Sequence, residues 1–383
     1  VKAFIMRVAL VYDRVNKWGG AERVLLALNK LFPKAPLFTS VYNKKNASWA
    51  DIFDIRTSFL QKLPLAKDKH ELFPLLMPTV FESFNFDEYD LVISVSSEAA
   101  KGIITKPHTK HIFYCLTPTR YLWSGYDTYF SNKAFKAMTK PAVEALRKWD
   151  KIAAHRPDVV IAISEEVQGR IKKYYGRDSF VIHPPVSLGN SKSQQNTKYK
   201  IPASPASTRG VQRGEPNTKY FLIVSRLSKF TRYKRVDLAI EAFTHLGLPL
   251  KIVGVGSLEK ELKKKAGPTI EFLGNLTDEK LIEYYKNCSA LIFPGLEDFG
   301  LVMAEAQKHG KPVIAFAKGG ALDIVIEGET GYFFTEQTKE SLVKALQKFE
   351  KYKFDPTKIR KNAEKFSFEN FSDNFQKVVK SLF

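Results

Sequence analysis

Short runs of apolar, often β-branched residues alternate along this chain with stretches whose apolar positions recur at helical spacing. In the first half the runs are Arg7–Tyr12, Leu37–Val41, Leu91–Ser94, His111–Cys115, Val159–Ile163 and Phe180–His183. Runs that are apolar throughout, separated by helical patterns, predict a parallel sheet covered on both faces. Ala21–Phe32 sets Val24, Leu25, Leu28 and Leu31 on one helical stripe, and Glu165–Tyr175 follows Ser164, a good N-cap. The alternation stops at Ser187–Lys219, rich in Ser, Asn, Gln, Thr, Pro and Lys, which reads as a flexible linker or insertion stiffened at its start by Pro184–Pro185. It then resumes. Strands are expected at Phe221–Val224, Leu250–Val253, Ile270–Leu273, Ala290–Phe293 and Pro312–Phe316. Helices are expected at Val236–Leu246, Leu258–Ala266, Asp278–Lys286 and Val302–His309. A last helix, about Phe368–Leu382, gathers Phe371, Phe375, Val378, Val379 and Leu382 on one side and must pack on something.

The pattern predicts an α/β protein of two Rossmann-like doubly wound domains facing a central cleft. They span residues 1–186 and 220–365, with the linker at 187–219 and a terminal helix at 366–383 packing back on the first domain. A chain of 383 residues, 44% hydrophobic, suits two domains of ordinary size. In such sheets ligands bind beyond the carboxyl ends of the strands. Cys115 and Cys288 are far apart, flanked by apolar runs, and read as reduced core residues, which favours the cytoplasm. Residues 1–5 read as a leader with no signal-peptide character, and no run approaches a membrane span. The net charge of +20 is uneven: 28 basic against 18 acidic residues in 1–186, 6 against 1 in 187–219, and 26 against 21 in the rest. Such a field attracts anions, whether nucleic acid, acidic lipid or phosphorylated substrate, or it is simply the habit of a lysine-rich proteome.

The most informative stretch is Pro294–Glu305. A strand ends at Phe293 and a helix opens near Gly300, so the first backbone N–H groups of that helix are free for a phosphate. Glu297 lies in the loop before the helix and Glu305 about a turn and a half inside it. One carboxylate could meet a sugar hydroxyl and the other a ribose, or both could be solvated acids at a helix start, where acids are favoured anyway. Upstream, Arg226 and Lys234 flank the end of a strand. In the first domain Gly19-Gly20 follows a strand and precedes a helix, and Arg120 lies just past His111–Cys115. No Asp-x-Asp occurs.

Glu297-x7-Glu305, followed by His309-Gly-Lys-Pro-Val-Ile, Gly319-Gly-Ala-Leu-Asp323 and Gly328-Glu-Thr-Gly331, resembles the signature of glycosyltransferase family four. The resemblance extends to Ser225-Arg-Leu, Tyr233–Phe243, Ile252–Gly256 and the Gly-Gly-Ala-Glu phrase at Gly19. Thr117–Trp123 is similar to bacterial mannosyltransferases that use GDP-mannose. The resemblance implies a retaining, metal-independent enzyme of the GT-B fold, with an acceptor-side first domain and a nucleotide-sugar-binding second domain. It implies that Arg226 and Lys234 neutralise the donor pyrophosphate, that Glu297 holds the donor sugar and that Glu305 holds the ribose. Gly300, Leu301 and Val302 would offer N–H groups, Gly19 and Gly20 would touch the donor, and Arg120 the donor or an anionic acceptor. No metal or other cofactor is implied. The implied partners are a nucleotide-sugar, best guess GDP-mannose, and a glycan or lipid-linked acceptor. The basic first domain is compatible with an anionic membrane surface, so the expected location is the cytoplasm, with the inner face of the membrane as one option.

Two departures stand out. Leu116-Thr-Pro replaces the His-Thr-Pro of many relatives, leaving the role of that histidine vacant, and His111 reads as structural. The spacing from Arg226 to Lys234 is long, so Arg232 competes with Lys234 for the phosphate role. Bases mixed with Phe, Leu, Met and Trp in Phe59–Lys69 and Lys133–Arg156 suit contact with an acidic membrane, or ordinary amphipathic packing. Other readings are a UDP-sugar-dependent transferase of the same fold, an epimerase or phosphorylase on that fold, and a basic nucleic-acid- or membrane-binding protein without catalysis. No nucleic-acid-reading motif is present, so nucleic acid is not an expected partner. A nicotinamide oxidoreductase rests only on Gly254-Val-Gly256, which lacks the third fingerprint glycine.

Overall fold

The computed structural model describes residues 6–186 and 219–383; the expected leader at 1–5 and nearly all of the expected linker lie outside the described residues. Two compact units emerge. One holds the described chain up to Pro185 together with Phe371–Phe383, and the other is formed from Val186–Asn370.

In the first unit the strands are β1 (Val8–Tyr12), β2 (Leu37–Thr39), β3 (Ile55–Thr57), β4 (Leu91–Ser96), β5 (Lys110–Cys115), β6 (Val159–Ala162) and β7 (Phe180–Val181). They form one parallel sheet in the order β3-β2-β1-β4-β5-β6-β7. The interleaved helices are α1 (Gly20–Leu31), α2 (Met77–Glu82), α3 (Tyr126–Tyr129), α4 (Lys133–Ala153) and α5 (Glu165–Tyr175). Central strands β1 and β4 are buried along their whole length, as apolar runs in a two-faced sheet must be. β3 was not expected. Its Ile55-Arg56-Thr57 is a half-exposed edge strand with no apolar run to announce it.

The second unit has β8 (Phe221–Val224), β9 (Leu250–Val253), β10 (Ile270–Gly274), β11 (Leu291–Phe293), β12 (Val313–Phe316) and β13 (Gly331–Phe334), parallel, in the order β10-β9-β8-β11-β12-β13. Its helices are α6 (Val236–Leu246), α7 (Glu259–Lys265), α8 (Asp278–Asn287), α9 (Leu301–Lys308), α10 (Ala321–Ile324), α11 (Lys339–Glu350) and α12 (Pro356–Ala363). Strand β13 and helices α11 and α12 were likewise unread: β13 is four residues long and opens on a glycine, and the two helices are mostly polar. A final helix, α13 (Phe368–Lys380), carries the chain back to the first unit, where Phe375 meets Phe32 and Tyr114.

In both sheets the strand order reverses beside the first strand, between β1 and β4 and between β8 and β11. Chain leaving those strands at their carboxyl ends opens the crevice where doubly wound sheets bind ligands. Those loops are Asp13–Gly19 and Ser97–Ala99 in the first unit, and Ser225–Arg235 and Pro294–Gly300 in the second.

Candidate active site

The second unit assembles most of the expected residues at one edge. β8 ends at Val224 and sends Arg226 out exposed. The chain then makes a 3-10 segment, Lys229–Lys234, braced where the Thr231 hydroxyl donates to the Arg226 carbonyl at 2.9 Å. Arg235 follows with φ 49°, a left-handed backbone unusual for a side chain with a Cβ, before α6 begins. This abrupt turn presents Lys234 toward the neighbouring loop. There Lys234 Nζ meets Glu297 Oε1 in a close ion pair, with the two side chains 14% and 22% exposed. Arg232 does not compete for that place, because its guanidinium points to Glu261 at 3.0 Å.

The loop bearing Glu297 is held by close backbone approaches. A Cβ at Gly295 would lie 2.6 Å from the Lys234 Cα, so only glycine lets the two loops touch. Gly319, at φ 68°, packs on the Glu297 carbonyl, which also accepts the Gly320 N–H at 3.0 Å. The Gly319-Gly320 motif therefore supports the Glu297 loop from below. Gly254, at φ 131°, lies against the Ser225 carbonyl, where a Cβ would come within 1.8 Å. This gives the Gly254-Val-Gly256 sequence a packing duty, in place of the dinucleotide fingerprint weighed above. Gly300, at φ 91°, caps α9, whose first turn is Leu301 and Val302.

Glu305 departs from the expected pair of acids. It is 1% exposed, and its Oε2 accepts the Tyr285 hydroxyl at 2.8 Å. Neither glutamate is a freely solvated acid at a helix start: Glu297 is half-buried and paired, and Glu305 lies inside the contact of α8 with α9. Helical position alone could not say this, because the second turn of α9 faces the helix that packs on it. The His309 ring stacks on Tyr285, and burial, then Lys286 and Lys308, lowers its pKa.

In the first unit Gly19 is extended at φ −177°, a backbone any residue adopts, so it offers room and no special conformation. Gly20 opens α1. Beside them the Tyr12 hydroxyl donates to Glu22 at 2.8 Å, and burial and that carboxylate push the phenol well above its usual range. Arg120 is half-buried in the Thr117–Trp123 loop. That loop hangs on a network the sequence did not reveal. The buried Asp150 carboxylate accepts from Lys101 (2.6 Å), Thr119 (2.9 Å), Trp123 (2.7 Å) and Tyr175 (2.8 Å). The only signal was an acid on the core face of a lysine-rich helix. His111 lies within the sheet, bonded to Ser94 at 2.8 Å. Both cysteines are buried free thiols. Among the described residues no three His, Cys, Asp or Glu side chains group to hold a metal ion, and no described helix is long and apolar enough to cross a membrane.

Residues 208–366 match the family model described as glycosyl transferases group 1. Over 336 residues the chain is 22% identical to the alpha-1,3/1,6-mannosyltransferase ALG2 of Dictyostelium discoideum, covering 78% of this chain and 77% of that protein. Among solved structures it superposes on the lipopolysaccharide outer core galactosyltransferase WaaB with a TM-score of 0.65 at 20% identity, covering 99% and 100% of the two chains. It superposes on Anabaena Alr3699/HepE in complex with UDP with a TM-score of 0.68 at 20% identity, covering 98% and 100%.

Proposed function

We propose, from the premise that this chain is a glycosyltransferase of the GT-B fold related to family four, that it moves mannose from GDP-mannose to a glycan or lipid-linked acceptor with retention and without a metal. The observation that carries the reading is the Lys234–Glu297 pair at the carboxyl edge of β8 and β11, beside the start of α9. In this scheme Arg226 and Lys234 are fixed cations for the pyrophosphate, the electrostatic task a metal performs elsewhere. Glu297 holds the sugar, and the α9 N–H groups of Leu301 and Val302 meet phosphate or sugar. Glu305 takes the ribose hydroxyls. Since its carboxylate is shut in against Tyr285, that contact requires the start of α9 to shift. Gly19, Gly20 and Arg120 serve the donor or acceptor from the first unit.

The bond from the anomeric carbon to the phosphate oxygen breaks with its electron pair going to phosphate. The acceptor oxygen bonds to the same face of that carbon, and its proton passes to the leaving phosphate. Arg226 and Lys234 hold the charge that develops. The ALG2 relative supports mannose as the sugar. The neighbour with bound UDP keeps a UDP-sugar donor as the second reading.

The protein works at the cytoplasmic face of a membrane in this proposal. Exposed Phe59, Leu65, Leu72 and Leu75, interleaved with Lys62, Lys67 and Lys69, support peripheral contact with acidic lipid.

Incubation with GDP-mannose, UDP-glucose or UDP-N-acetylglucosamine in EDTA, read by thermal stabilisation and nucleoside diphosphate release, tests the donor. Selective stabilisation and GDP release support the proposal. A response to a UDP-sugar alone transfers it to the second reading, and a requirement for added metal ion overturns the cation scheme.

A further inference from the structure

Chain that follows β1, β3 and β4 at the carboxyl edge of the first sheet meets around one ion pair. Asp13, fully buried at the end of β1, commits its carboxylate to the loop after β4. It accepts the backbone N–H groups of Ser97 (2.7 Å), Glu98 (3.0 Å), Ala99 (2.9 Å) and Ala100 (2.9 Å) and the Ser96 hydroxyl (2.8 Å). Charge-assisted bonds of this number hold the loop firmly and so place Glu98. Arg14, next in sequence, donates to Glu98 Oε1 at 2.9 Å and leaves Oε2 to other partners. The Glu98 carbonyl accepts the Thr119 hydroxyl at 3.1 Å, which joins this cluster to the Thr117–Trp123 loop.

His70 enters from the 3-10 segment His70–Leu72, beyond β3. Its ring is buried, and Asn16 Nδ2 lies 3.2 Å from its Nδ1. The same Asn16 nitrogen donates to the Lys67 carbonyl at 3.2 Å, and a carbonyl only accepts, so this contact fixes which end of the amide faces the ring. Nδ1 therefore accepts and Nε2 carries the ring proton. Burial, then Arg14, lowers the His70 pKa to about 4, so the ring is neutral at neutral pH although the exposed Glu71 carboxylate stands 3.1 Å from Nδ1. Nε2 stands 4.0 Å from Glu98 Oε2, too far for a direct hydrogen bond. Two buried atoms of the same cluster, Arg14 Nε and Asn16 Oδ1, have no hydrogen-bond partner among the described residues. Polar capacity here exceeds what the described chain satisfies, as it does at sites built for a polar ligand.

We propose that His70 and Glu98 together hold one hydroxyl of the acceptor sugar, with His70 Nε2–H donating to the hydroxyl oxygen and the hydroxyl donating to Glu98 Oε2. This rests on the transferase reading above and names a specificity-determining pair for its acceptor. A hydroxyl fits because it accepts from an N–H and donates to a carboxylate at the same time. An oxygen about 2.8 Å from each atom fits the 4.0 Å gap. A phosphate only accepts and would meet the Glu98 charge; an ammonium group only donates and would meet the His70 N–H. Arg14 does not reverse this, since Glu98 already matches its charge. The surroundings suit a sugar better than a water. The Tyr121 phenol lies in the field of Glu98, and its ring meets that of Tyr129, which is 57% exposed, edge-on at 6.4 Å. An exposed ring beside such a clamp offers an apolar surface to the C–H face of a pyranose.

Saturation-transfer NMR on the whole protein without donor tests this, with methyl α-D-mannoside, methyl β-D-glucoside and methyl N-acetyl-β-D-glucosaminide as probes. At least one glycoside is expected to bind. Its affinity should fall about ten-fold or more in Glu98→Gln and in His70→Ala, as when a buried or charged hydrogen-bond partner is removed. His70→Gln, which sets a side-chain N–H in place of Nε2–H, should stay within about three-fold of the wild type. Long-range nitrogen NMR spectra should show the His70 proton on Nε2, and that nitrogen should shift as the glycoside is added. Binding of none of the three, affinity unchanged in both disabling variants, or a ring proton on Nδ1 overturns the proposal. So does a His70 shift caused by inorganic phosphate in place of glycoside, which would make the cluster an anion site. Glu98→Gln keeps an oxygen for Arg14, so it carries the test if His70→Ala does not fold. Because no donor is present, failure of the wild type to release nucleoside diphosphate in the donor assay counts against the transferase reading, and failure to bind glycoside counts against this site.

Discussion

Lys234 and Glu297 hold one another in a half-buried ion pair, and each has a separate proposed task. Replacing Lys234 with Met, at near-constant length, should lower nucleoside diphosphate release from donor by about a hundred-fold or more, the magnitude of losing one preorganised electrostatic contact. Arg232→Met should stay within about two-fold of the wild type, since a surface pair such as Arg232–Glu261 contributes about 0–1 kcal/mol. The opposite ranking in steady-state kinetics would move the phosphate role to Arg232. His111 makes a different prediction. It is wholly buried, and burial, then Arg177 and Arg156, lowers its pKa to about 3. As pH falls below about 6.5 the unfolded chain takes up a proton that the folded protein refuses, so stability drops by about 1.4 kcal/mol per pH unit for this group until about pH 3. Above about pH 6.5 the group adds no pH dependence. Urea midpoints between pH 6.5 and 5 should slope less steeply in His111→Gln.

At the scale of elements, loops that touch backbone to backbone position the site, and glycine makes those contacts possible. The Gly295 loop rests on Lys234, and the Gly319-Gly320 turn rests on Glu297 and Phe299. Gly319→Ala combines a left-handed φ with a Cβ 2.5 Å from the Glu297 carbonyl. It should destabilise the second unit by about 1–3 kcal/mol and reduce turnover, because the loop bearing Glu297 must move. A variant with wild-type melting and wild-type donor turnover would show that the loop does not depend on this support. Strand β3 lies at a sheet edge and is half-exposed, with no apolar run; β13 is buried but only four residues long and opens on Gly331. Periodicity, which found every central strand, passed over both.

Across the whole molecule, the chain crosses between its units at Pro185 and again at Asn370. Phe371, Phe375, Val378 and Val379 of α13 are buried, so the last thirteen residues complete the core of the first unit. A chain ended at Asn370 should lose several kcal/mol from the first unit, since burying one large side chain contributes about 1.5–3 kcal/mol. Calorimetry should show one transition shifted down while the other keeps its midpoint; equal shifts would mean that the two units unfold together.

The sequence by itself determined the α/β class and the doubly wound pattern and carried the family resemblance, because apolar runs, helical stripes and a motif such as Glu297-x7-Glu305 are local properties of a chain. Through the family resemblance it also brought forward Arg226, Lys234 and Glu297 as one group. What only the tertiary structure decided was which neighbour each side chain meets. Lys234 rather than Arg232 reaches Glu297, because the left-handed turn at Arg235 and the contact with Gly295 aim it there. Glu305 lies buried against Tyr285, because α8 covers that side of α9. Asp150 ties together four partners, of which Lys101 is 49 residues away in sequence. Helix α4 buries only Val143, Leu146, Asp150 and Ala153, because the core takes only the four positions it needs. Periodicity specifies a face, and packing decides what that face meets.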